Sequence, residues 1–264
     1  MRLSQKNPMN SWRDSRAFLI DLDGVLYDDN QPIPGAAEAI AHLRERGYPF
    51  RFATNTTMRC RASLRRKLAD FGIEVNEDEI FSAPVAAARY LRGQGRSRVF
   101  LLLTKDAHRD FTGLEITDQQ PDFVVVGDMG DEVNAALLNK AFRLLLGGAE
   151  LIALQKNRYW KTAEGLTLDA GPFVVALEYA TGQQARVIGK PSPDFFQLAV
   201  DDLGVPPAQV AMIGDDIEVD VGGAQRAGLK GILVRTGRFR ETDLQSGIEP
   251  DGVIDSIADL IECV

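Results

Sequence analysis

The sequence is poor in residues that form cross-links or bind soft metals: its 264 residues include two cysteines, Cys60 and Cys263, and two histidines. Two distant cysteines give neither a disulfide framework nor the paired spacing of a zinc site, so a reducing cytoplasm is the simplest location. Basic residues are also outnumbered, 30 against 38 acidic residues, and the net charge is −8. This balance argues against nucleic acid or an anionic membrane as the main partner.

Long apolar runs are also lacking. No run approaches the length of a membrane span, and residues 1–15 are polar with mixed charge, unlike a secretory signal. We interpret residues 1–15 as a flexible tail. The rest of the chain is long enough to bury a full core and to form two domains, because 45% of the 264 residues are hydrophobic.

The chain does contain an apolar run, residues 18–26, that is interrupted by Asp21, Asp23 and Gly24. Such a run predicts a buried parallel strand, with the two carboxylates emerging where the strand leaves the sheet. That edge is where open α/β sheets bind ligands. Taken alone, the same residues also fit a strand followed by an ordinary acidic turn.

Strand-like and helix-like segments alternate along nearly the whole chain, which predicts an α/β fold with a Rossmann-like, doubly wound parallel sheet. The pattern restarts near residues 79–84 and returns to its first form near residue 185. We therefore predict a discontinuous core domain at residues 16–81 and 184–264. A smaller α/β domain is predicted between its two parts, at residues 82–183.

Several polar stretches have simpler structural interpretations. Thr104-Lys105 and Gly127-Asp128 follow predicted strands of the inserted domain and are interpreted as ordinary turns. Arg65, Arg66 and Lys67 lie on a predicted helix beside an apolar stripe, where a solvated face is the simpler alternative to an anion-binding patch.

A predicted irregular stretch, residues 155–171, carries cations and aromatic side chains together. This mixture is typical either of a surface that grips an anionic, ring-bearing ligand or of packing between domains. Tyr159, Trp160 and Lys161 are our candidates for contacts with a leaving group.

The strongest functional signal is a set of polar residues that end four different core strands: Asp21 with Asp23, Thr54 with Asn55, Lys190, and Asp215 with Asp216. Because the carboxyl ends of parallel strands share one edge of a sheet, these residues are expected to converge on one site.

The residue types suit a phosphate bound next to a metal. Oxygen ligands from Asp21, Asp215 and the backbone carbonyl near Asp23 suit Mg²⁺. Thr54 and Asn55 can donate hydrogen bonds to phosphoryl oxygens, and Lys190 supplies a positive charge. The sequence therefore predicts phosphoryl transfer, in which positioning and charge neutralisation dominate.

Four stretches resemble, in order and placement, the motifs of the haloacid dehalogenase superfamily of phosphatases: Asp21-Leu22-Asp23-Gly24-Val25-Leu26, Thr54-Asn55, Lys190-Pro191 and Gly214-Asp215-Asp216. The inserted domain resembles the C2-type α/β cap of the class IIA branch, which includes NagD. Within that branch, residues 53–57 and 189–192 are similar to the phospholysine phosphohistidine inorganic pyrophosphate phosphatases and the haloacid dehalogenase-like hydrolase domain-containing proteins. Those relatives often carry serine at the position of Asp23.

This resemblance implies a mechanism and a set of roles. Asp21 would attack phosphorus and form an aspartyl-phosphate, Asp23 would act as acid and then base, and Lys190 would assist. Substrate would contact Asp21, Leu22, Asp23, Thr54, Asn55 and Lys190, and Mg²⁺ would be bound by Asp21, Asp23 and Asp215. Asp216 and Asp220 would stand outside the metal ligands, or each could simply be a helix-start carboxylate.

We expect a cytoplasmic, Mg²⁺-dependent phosphatase acting on small phosphorylated metabolites: phosphomonoesters, or pyrophosphate and phosphoramidates. We expect neither nucleic acid nor membrane as a partner, while an exposed face of the cap would support a homodimer. Two alternatives stay open: phosphoryl transfer to an acceptor other than water, and binding of a phosphorylated ligand without turnover. Haloalkanoate dehalogenation fits less well, because it calls for neither Asp23 nor a metal.

Overall fold

The structure is a computed structural model that describes residues 12–162 and 164–264. Its strands, in chain order, are β1 Ala17–Ile20, β2 Tyr27–Asp28, β3 Gln31–Pro32, β4 Phe50–Thr54, β5 Ile80–Ser82, β6 Arg98–Leu102, β7 Glu115–Ile116, β8 Phe123–Val126, β9 Glu150–Ala153, β10 Tyr159–Thr162, β11 Gly165–Leu168, β12 Arg186–Val187, β13 Val210–Gly214, β14 Lys230–Val234 and β15 Gly252–Ile254.

The helices are α1 Ala36–Glu45, α2 Arg61–Asp70, α3 Ala83–Arg92, α4 Ala135–Leu146, α5 Ala170–Thr181, α6 Pro193–Leu203, α7 Gly223–Arg226 and α8 Leu260–Cys263. A π-helix, Ile217–Gly222, precedes α7. None of these helices is both long and apolar enough to cross a lipid bilayer.

The described chain divides into two compact units. The core unit contains residues 12–54, Arg65–Phe81 and Lys190–Val264, and the inserted unit contains Asn55–Leu64 and Ser82–Gly189. The predicted domain boundaries differ from this division in two places. Residues 55–64 were assigned to the core but belong to the inserted unit, and the core resumes at Lys190 rather than at residue 184.

The core unit is built on a six-stranded sheet in the order β15-β14-β13-β1-β4-β5. The pairs of β1 with β13 and β4, and of β14 with β13 and β15, are parallel. All four residues of β1 are buried, as expected for a strand covered on both faces. The chain runs outward from β1 to β5 and later returns to β13 on the other side of β1. The carboxyl ends of β1 and β13 therefore flank the point where the strand order reverses, where such sheets bind ligands.

The first described residues, 12–15, pack against the core unit, although residues 1–15 were predicted to form a flexible tail. Residues 12–14 form a short turn, and Trp12 is only 2% exposed. Its ring lies so close to Gly252 that a Cβ there would overlap it. Ser15 is also buried, so the last four residues of the predicted tail belong to the core unit. Residues 1–11 lie outside the described residues.

The inserted unit has its own sheet, in the order β12-β9-β8-β6-β7, and its pairs are parallel. Apolar residues of α4 and α5, such as Leu145 and Val174, pack with Val124 and Leu151 of the sheet in one cluster. A strand at Val187-Ile188, before Lys190, was predicted to join the core sheet, but the strand found there, β12, pairs with β9. The prediction failed because two residues carry too little pattern to indicate which sheet they join.

The stretch predicted to be irregular, residues 155–171, contains an antiparallel hairpin of β10 and β11. Its register pairs Tyr159 with Leu168 and Trp160 with Thr167. Every residue of β11 is exposed. No core therefore imposes the alternation of apolar and polar residues that identifies a strand from sequence.

Candidate active site

The turn after β1 places Asp21 at the carboxyl end of this strand. The Asp21 N–H donates to the Ile213 carbonyl at 2.9 Å, which extends the pairing of β1 with β13 by one residue. The carboxylate Oδ1 of Asp21 accepts a hydrogen bond from the Leu22 N–H at 2.8 Å. Leu22 and Leu26 are fully buried, so apolar packing anchors the turn. The side chain of Asp21 is thus held in a defined position at the sheet edge.

Asp215 follows β13 and is enclosed by backbone. Its side chain accepts a hydrogen bond at Oδ2 from the Arg238 N–H, at 2.8 Å. Gly24 and Gly237 have φ values of 76° and 65°, which are costly for residues with a side chain. A Cβ on either glycine would also overlap the Asp215 carboxylate. The glycines after Asp23 and before Arg238 therefore make room for this carboxylate.

Two acids of the segment after β13, Asp216 and Asp220, have different roles in the π-helix. The Asp216 carboxylate caps the helix by accepting two backbone N–H groups of its first turn, at 3.0 and 2.9 Å. Asp220 is 1% exposed and turns inward against Gly214, where a Cβ would overlap its carboxylate. The interpretation as a helix-start carboxylate therefore describes Asp216, whereas Asp220 is part of the site.

Lys190 connects the end of β1 to the π-helix. Its Nζ lies 2.9 Å from Asp21 Oδ1 and 2.7 Å from Asp220 Oδ1. Lys190 is 3% exposed, so both ion pairs are shielded from water. One positive charge therefore faces two carboxylates in a region of low dielectric constant, where charge imbalance is costly.

Three carboxylates form a group that suits a hard divalent cation. Asp21, Asp215 and Asp220 each offer an oxygen, and these oxygens lie within 4.8 Å of one another. Oxygen-only donors of this kind suit Mg²⁺ rather than a soft metal. The donor set therefore fits the predicted cation, with Asp220 in the group and the Asp23 carboxyl outside it.

The electrostatics of the group also favour added positive charge. Burial, and then the charge of Asp21, raise the pKa of Asp215 to about 7. Burial likewise raises the pKa of Asp220, although Lys190 opposes this shift. Burial lowers the pKa of Lys190, but Asp21 and Asp220 outweigh that effect and shift it upward. Lys190 therefore stays charged, and the raised pKa values of Asp215 and Asp220 indicate that its single charge does not fully stabilise the ionised acids.

Asp23 lies in the same turn with an exposed surface. Desolvation of the carboxyl by the surrounding protein is the largest effect and raises its pKa, and the charge of Asp21 raises it further. Lys67, Arg238 and a hydrogen bond from Tyr27 oppose this shift. Lys67 also stacks on Tyr27, with Nζ 3.8 Å from the ring centroid. Asp23 thus holds a proton more readily than an ordinary aspartate does, as a general acid requires.

The predicted phosphate donors fall on either side of a unit boundary. Thr54 ends β4, next to β1 in the core sheet, and is 2% exposed. Asn55 belongs to the inserted unit, where its Oδ1 would lie 2.7 Å from a Cβ on Gly189. Leu22 offers its backbone, since its side chain is buried. Contact of these residues with phosphate stays a prediction.

The predicted leaving-group contacts lie on the β10–β11 hairpin. Tyr159 and Trp160 are 57% and 37% exposed. The side chain of Lys161 lies outside the described part of the structure. The role of these three residues in specificity stays a prediction.

The fold and the acidic group define an α/β enzyme with its site at the edge of a parallel sheet. The family described as haloacid dehalogenase-like hydrolase matches residues 18–117, and a second model, described as HAD-hydrolase-like, matches residues 187–260. These two matches contain Asp21 and Asp23, Thr54 and Asn55, and Lys190 and Asp215.

Curated proteins and solved structures agree with these matches. The chain is 45% identical to haloacid dehalogenase-like hydrolase domain-containing protein 2 of Bos taurus, over 89% of this chain and 90% of that protein. It is 40% identical to human phospholysine phosphohistidine inorganic pyrophosphate phosphatase, over 94% of this chain and 93% of that protein. The structure of NagD from Escherichia coli K-12 superposes with a TM-score of 0.87 at 27% identity, over 93% and 98% of the two chains.

The chain therefore belongs to the haloacid dehalogenase-like hydrolase family. It is an enzyme, a hydrolase of the family's phosphatase type. The resemblance to the NagD-like branch, and within it to the relatives named above, is confirmed.

Proposed function

We propose that this protein is a Mg²⁺-dependent phosphatase that acts on small phosphorylated metabolites through an aspartyl-phosphate on Asp21. The observation that carries the proposal is the placement of Lys190 between Asp21 and Asp220, within a group of three carboxylates. A structural ion pair would need one acid for one base. The surplus of buried carboxylates instead suits a site completed by a cation and a phosphate.

The geometry at Asp21 suits nucleophilic attack by one particular oxygen. The Leu22 N–H and Lys190 Nζ both contact Oδ1, so neither of these contacts engages Oδ2. Attack by Oδ2 would form the bond to phosphorus as the bond to the leaving oxygen breaks. Asp23, whose pKa is raised, would give its proton to the leaving oxygen and then take one from the attacking water. The water would release inorganic phosphate and regenerate Asp21.

Asp21, Asp215 and Asp220 would hold Mg²⁺, with the backbone carbonyl near Asp23 as a further ligand. When bound, this ion would neutralise and orient the phosphoryl oxygens. Thr54 and Asn55 would donate hydrogen bonds to phosphate, and Lys190 would keep the nucleophile oriented.

Substrate class follows from the charges around Asp23. Lys67 and Arg238 both act electrostatically on Asp23, the residue that would protonate the leaving group. Two cations at this position suit substrates whose leaving group is itself anionic, such as pyrophosphate, in addition to neutral phosphomonoesters. The human relative named above carries inorganic pyrophosphate in its name, which supports including this compound. A cytoplasmic location and a homodimer formed through the inserted unit complete the proposal.

The test is release of inorganic phosphate from p-nitrophenyl phosphate, pyrophosphate and a panel of sugar phosphates, with Mg²⁺ or with excess EDTA. We expect turnover that EDTA abolishes and that Asp21→Asn removes. Parallel reactions with added alcohol acceptors distinguish hydrolysis from phosphoryl transfer, since transfer would produce phosphorylated acceptor in place of phosphate. Tight binding of these compounds without any turnover would contradict the proposal.

A further inference from the structure

The segment that follows Thr54 has contacts that the proposed chemistry does not use. Residues Asn55–Leu64 belong to the inserted unit, although Thr54 belongs to the core unit. Within the inserted unit, this segment is held by polar residues that follow β6 and β8. Two of these stretches, Thr104-Lys105 and Gly127-Asp128, were predicted to be ordinary turns.

Two strand ends fix the first part of the segment. The Thr104 hydroxyl donates to the Met58 carbonyl at 2.6 Å, and the Asp128 N–H donates to Thr57 Oγ1 at 2.9 Å. Gly127 makes the second contact possible, since a Cβ there would lie 3.1 Å from the Thr57 Cβ. The backbone at residues 57–58 is thus held from two neighbouring strands of the inserted sheet.

Two carboxylates hold the next part, where α2 begins. Cys60 precedes this helix, and a thiol is a weak acceptor compared with the side chains that usually cap helices. Asp106 Oδ2 accepts the Cys60 N–H at 3.0 Å, and Asp110 Oδ2 accepts the Arg61 N–H at 3.0 Å. Asp106 Oδ1 also accepts from the Ser63 hydroxyl at 3.0 Å. Acids supplied from a distant part of the sequence therefore replace the missing local cap.

Asn55 lies directly between β4 and this fixed segment. One residue, Thr56, separates it from Thr57, whose Oγ1 accepts the Asp128 N–H. On its other side, the Asn55 Oδ1 faces Gly189, where a Cβ would lie 2.7 Å away. Residues of the inserted unit therefore lie against the Asn55 amide and also hold the backbone that begins two residues after it.

We propose that Thr104, Asp106 and Asp110, which we call the loop clamp, are positioning residues that hold the Asn55 amide in place for the phosphoryl group. This inference rests on the proposed function, because Asn55 is there a donor to phosphate. A simpler role for the loop clamp would be to stabilise the start of α2. The two roles predict different kinetics, since a positioning residue acts on substrate only through Asn55.

The experiment is a double-mutant cycle on p-nitrophenyl phosphate hydrolysis with Asp106→Ala, Asn55→Ala and the double variant. Asn55→Ala should lower kcat/KM by about 10- to 100-fold, the range for one hydrogen bond to a charged group. Asp106→Ala alone should lower it by about 5- to 10-fold, mainly through KM, and should weaken inhibition by inorganic phosphate to the same degree. In the Asn55→Ala background, the further loss should be below about 2-fold.

Thr104→Val repeats the test without removing a charge, in case Asp106→Ala folds poorly. Asp118→Ala is the matched control, because Asp118 is an exposed acid of the same unit that pairs with Lys140. A purely structural clamp would reduce the amount of folded enzyme, and so kcat, without changing KM or phosphate inhibition. That result, or equal losses in both Asn55 backgrounds, would overturn the proposal. A normal KM in Asn55→Ala would also overturn it, whereas activity in Asp21→Asn would instead overturn the proposed function.

Discussion

Replacing Lys190 by methionine should destabilise the core unit strongly, because it removes the positive charge between Asp21 and Asp220. Methionine nearly preserves the volume, so the loss is electrostatic. Lys190 is 3% exposed and makes two short ion pairs. Removing one partner of a buried pair costs about 3–5 kcal/mol. For a chain of this size, that corresponds to a fall in Tm of roughly 6–20 °C.

The loss should depend on pH and on Mg²⁺, which separates this mechanism from simple loss of packing. Burial raises the pKa of Asp220 and Lys190 opposes that rise, so the pKa of Asp220 rises further without Lys190. At pH 5 Asp220 is protonated with or without the lysine, whereas at pH 8 the wild type still gains from an ion pair that the variant has lost. The fall in Tm should therefore be larger at pH 8. Mg²⁺ should raise the Tm of the variant more than that of the wild type, since removing a nearby cation strengthens the binding of another.

The assay is thermal unfolding at pH 5 and pH 8, with EDTA or with Mg²⁺. Lys156→Met is the matched control: Lys156 also pairs with a carboxylate, Glu178, at 2.8 Å, but it is one third exposed and pairs with no second acid among the residues that the structure describes. The fall in Tm of Lys156→Met should be smaller than that of Lys190→Met and independent of Mg²⁺. Equal losses in Lys190→Met at the two pH values, or an unchanged Tm at pH 8, would refute the reasoning.

Three further predictions concern the same site. Asp21→Asn should lower kcat by at least about 10³-fold, as measured by steady-state kinetics. Its Tm in EDTA, measured by calorimetry, should be unchanged or higher, because a neutral side chain relieves repulsion among the acids of the site. Because burial and Asp21 raise the folded-state pKa of Asp215 to about 7 from an ordinary 3.8, its contribution to stability is full below pH 3.8 and is lost as the pH rises through 7. The Tm gained on adding Mg²⁺ should therefore grow between pH 5 and pH 8, and a constant gain would contradict this assignment. Gly24→Ala should cost more than about 2 kcal/mol of stability and weaken Mg²⁺ binding in a titration followed by Tm, since its φ of 76° disfavours a side chain and the Cβ would overlap the Asp215 carboxylate.

The parts of the site that could be predicted from sequence are those fixed by strand ends. Asp21 and Asp215 each end a run of apolar residues, and parallel pairing then requires that β1 and β13 bring them to one edge. Lys190 was also found in this way, although the strand before it, β12, belongs to the inserted sheet. Its placement depends on the return of the chain to the core unit at that residue.

The place of Asp220 in the acidic group was not predicted, because its position depends on a π-helix that the sequence pattern does not indicate. In an ordinary helix, a carboxylate four residues after a capping aspartate reads as another helix-start acid. The wider π-helical turn directs Asp220 onto Gly214 instead. A signal was present, since Asp220 lies between two valines, Val219 and Val221, of which Val221 is fully buried.

The assignment of residues 55–64 was missed for a different physical reason. The acceptors that hold this segment, Asp106 and Asp110, lie more than 40 residues further along the chain. The local sequence pattern indicates helix propensity and apolar faces, but it contains no information on such distant hydrogen bonds. The lack of a good capping residue before α2 was the available hint that a cap is supplied from elsewhere.

The pairing of β1 with β13 joins residues that are nearly 200 positions apart, such as Ala17 and Val210. During synthesis, the first strand must therefore remain without this neighbour until most of the polypeptide has left the ribosome. Residues 82–189, in contrast, emerge as one continuous stretch with a sheet of their own. The inserted unit can consequently complete most of its fold first, and the catalytic sheet is assembled last, around a nascent chain that already carries a folded domain.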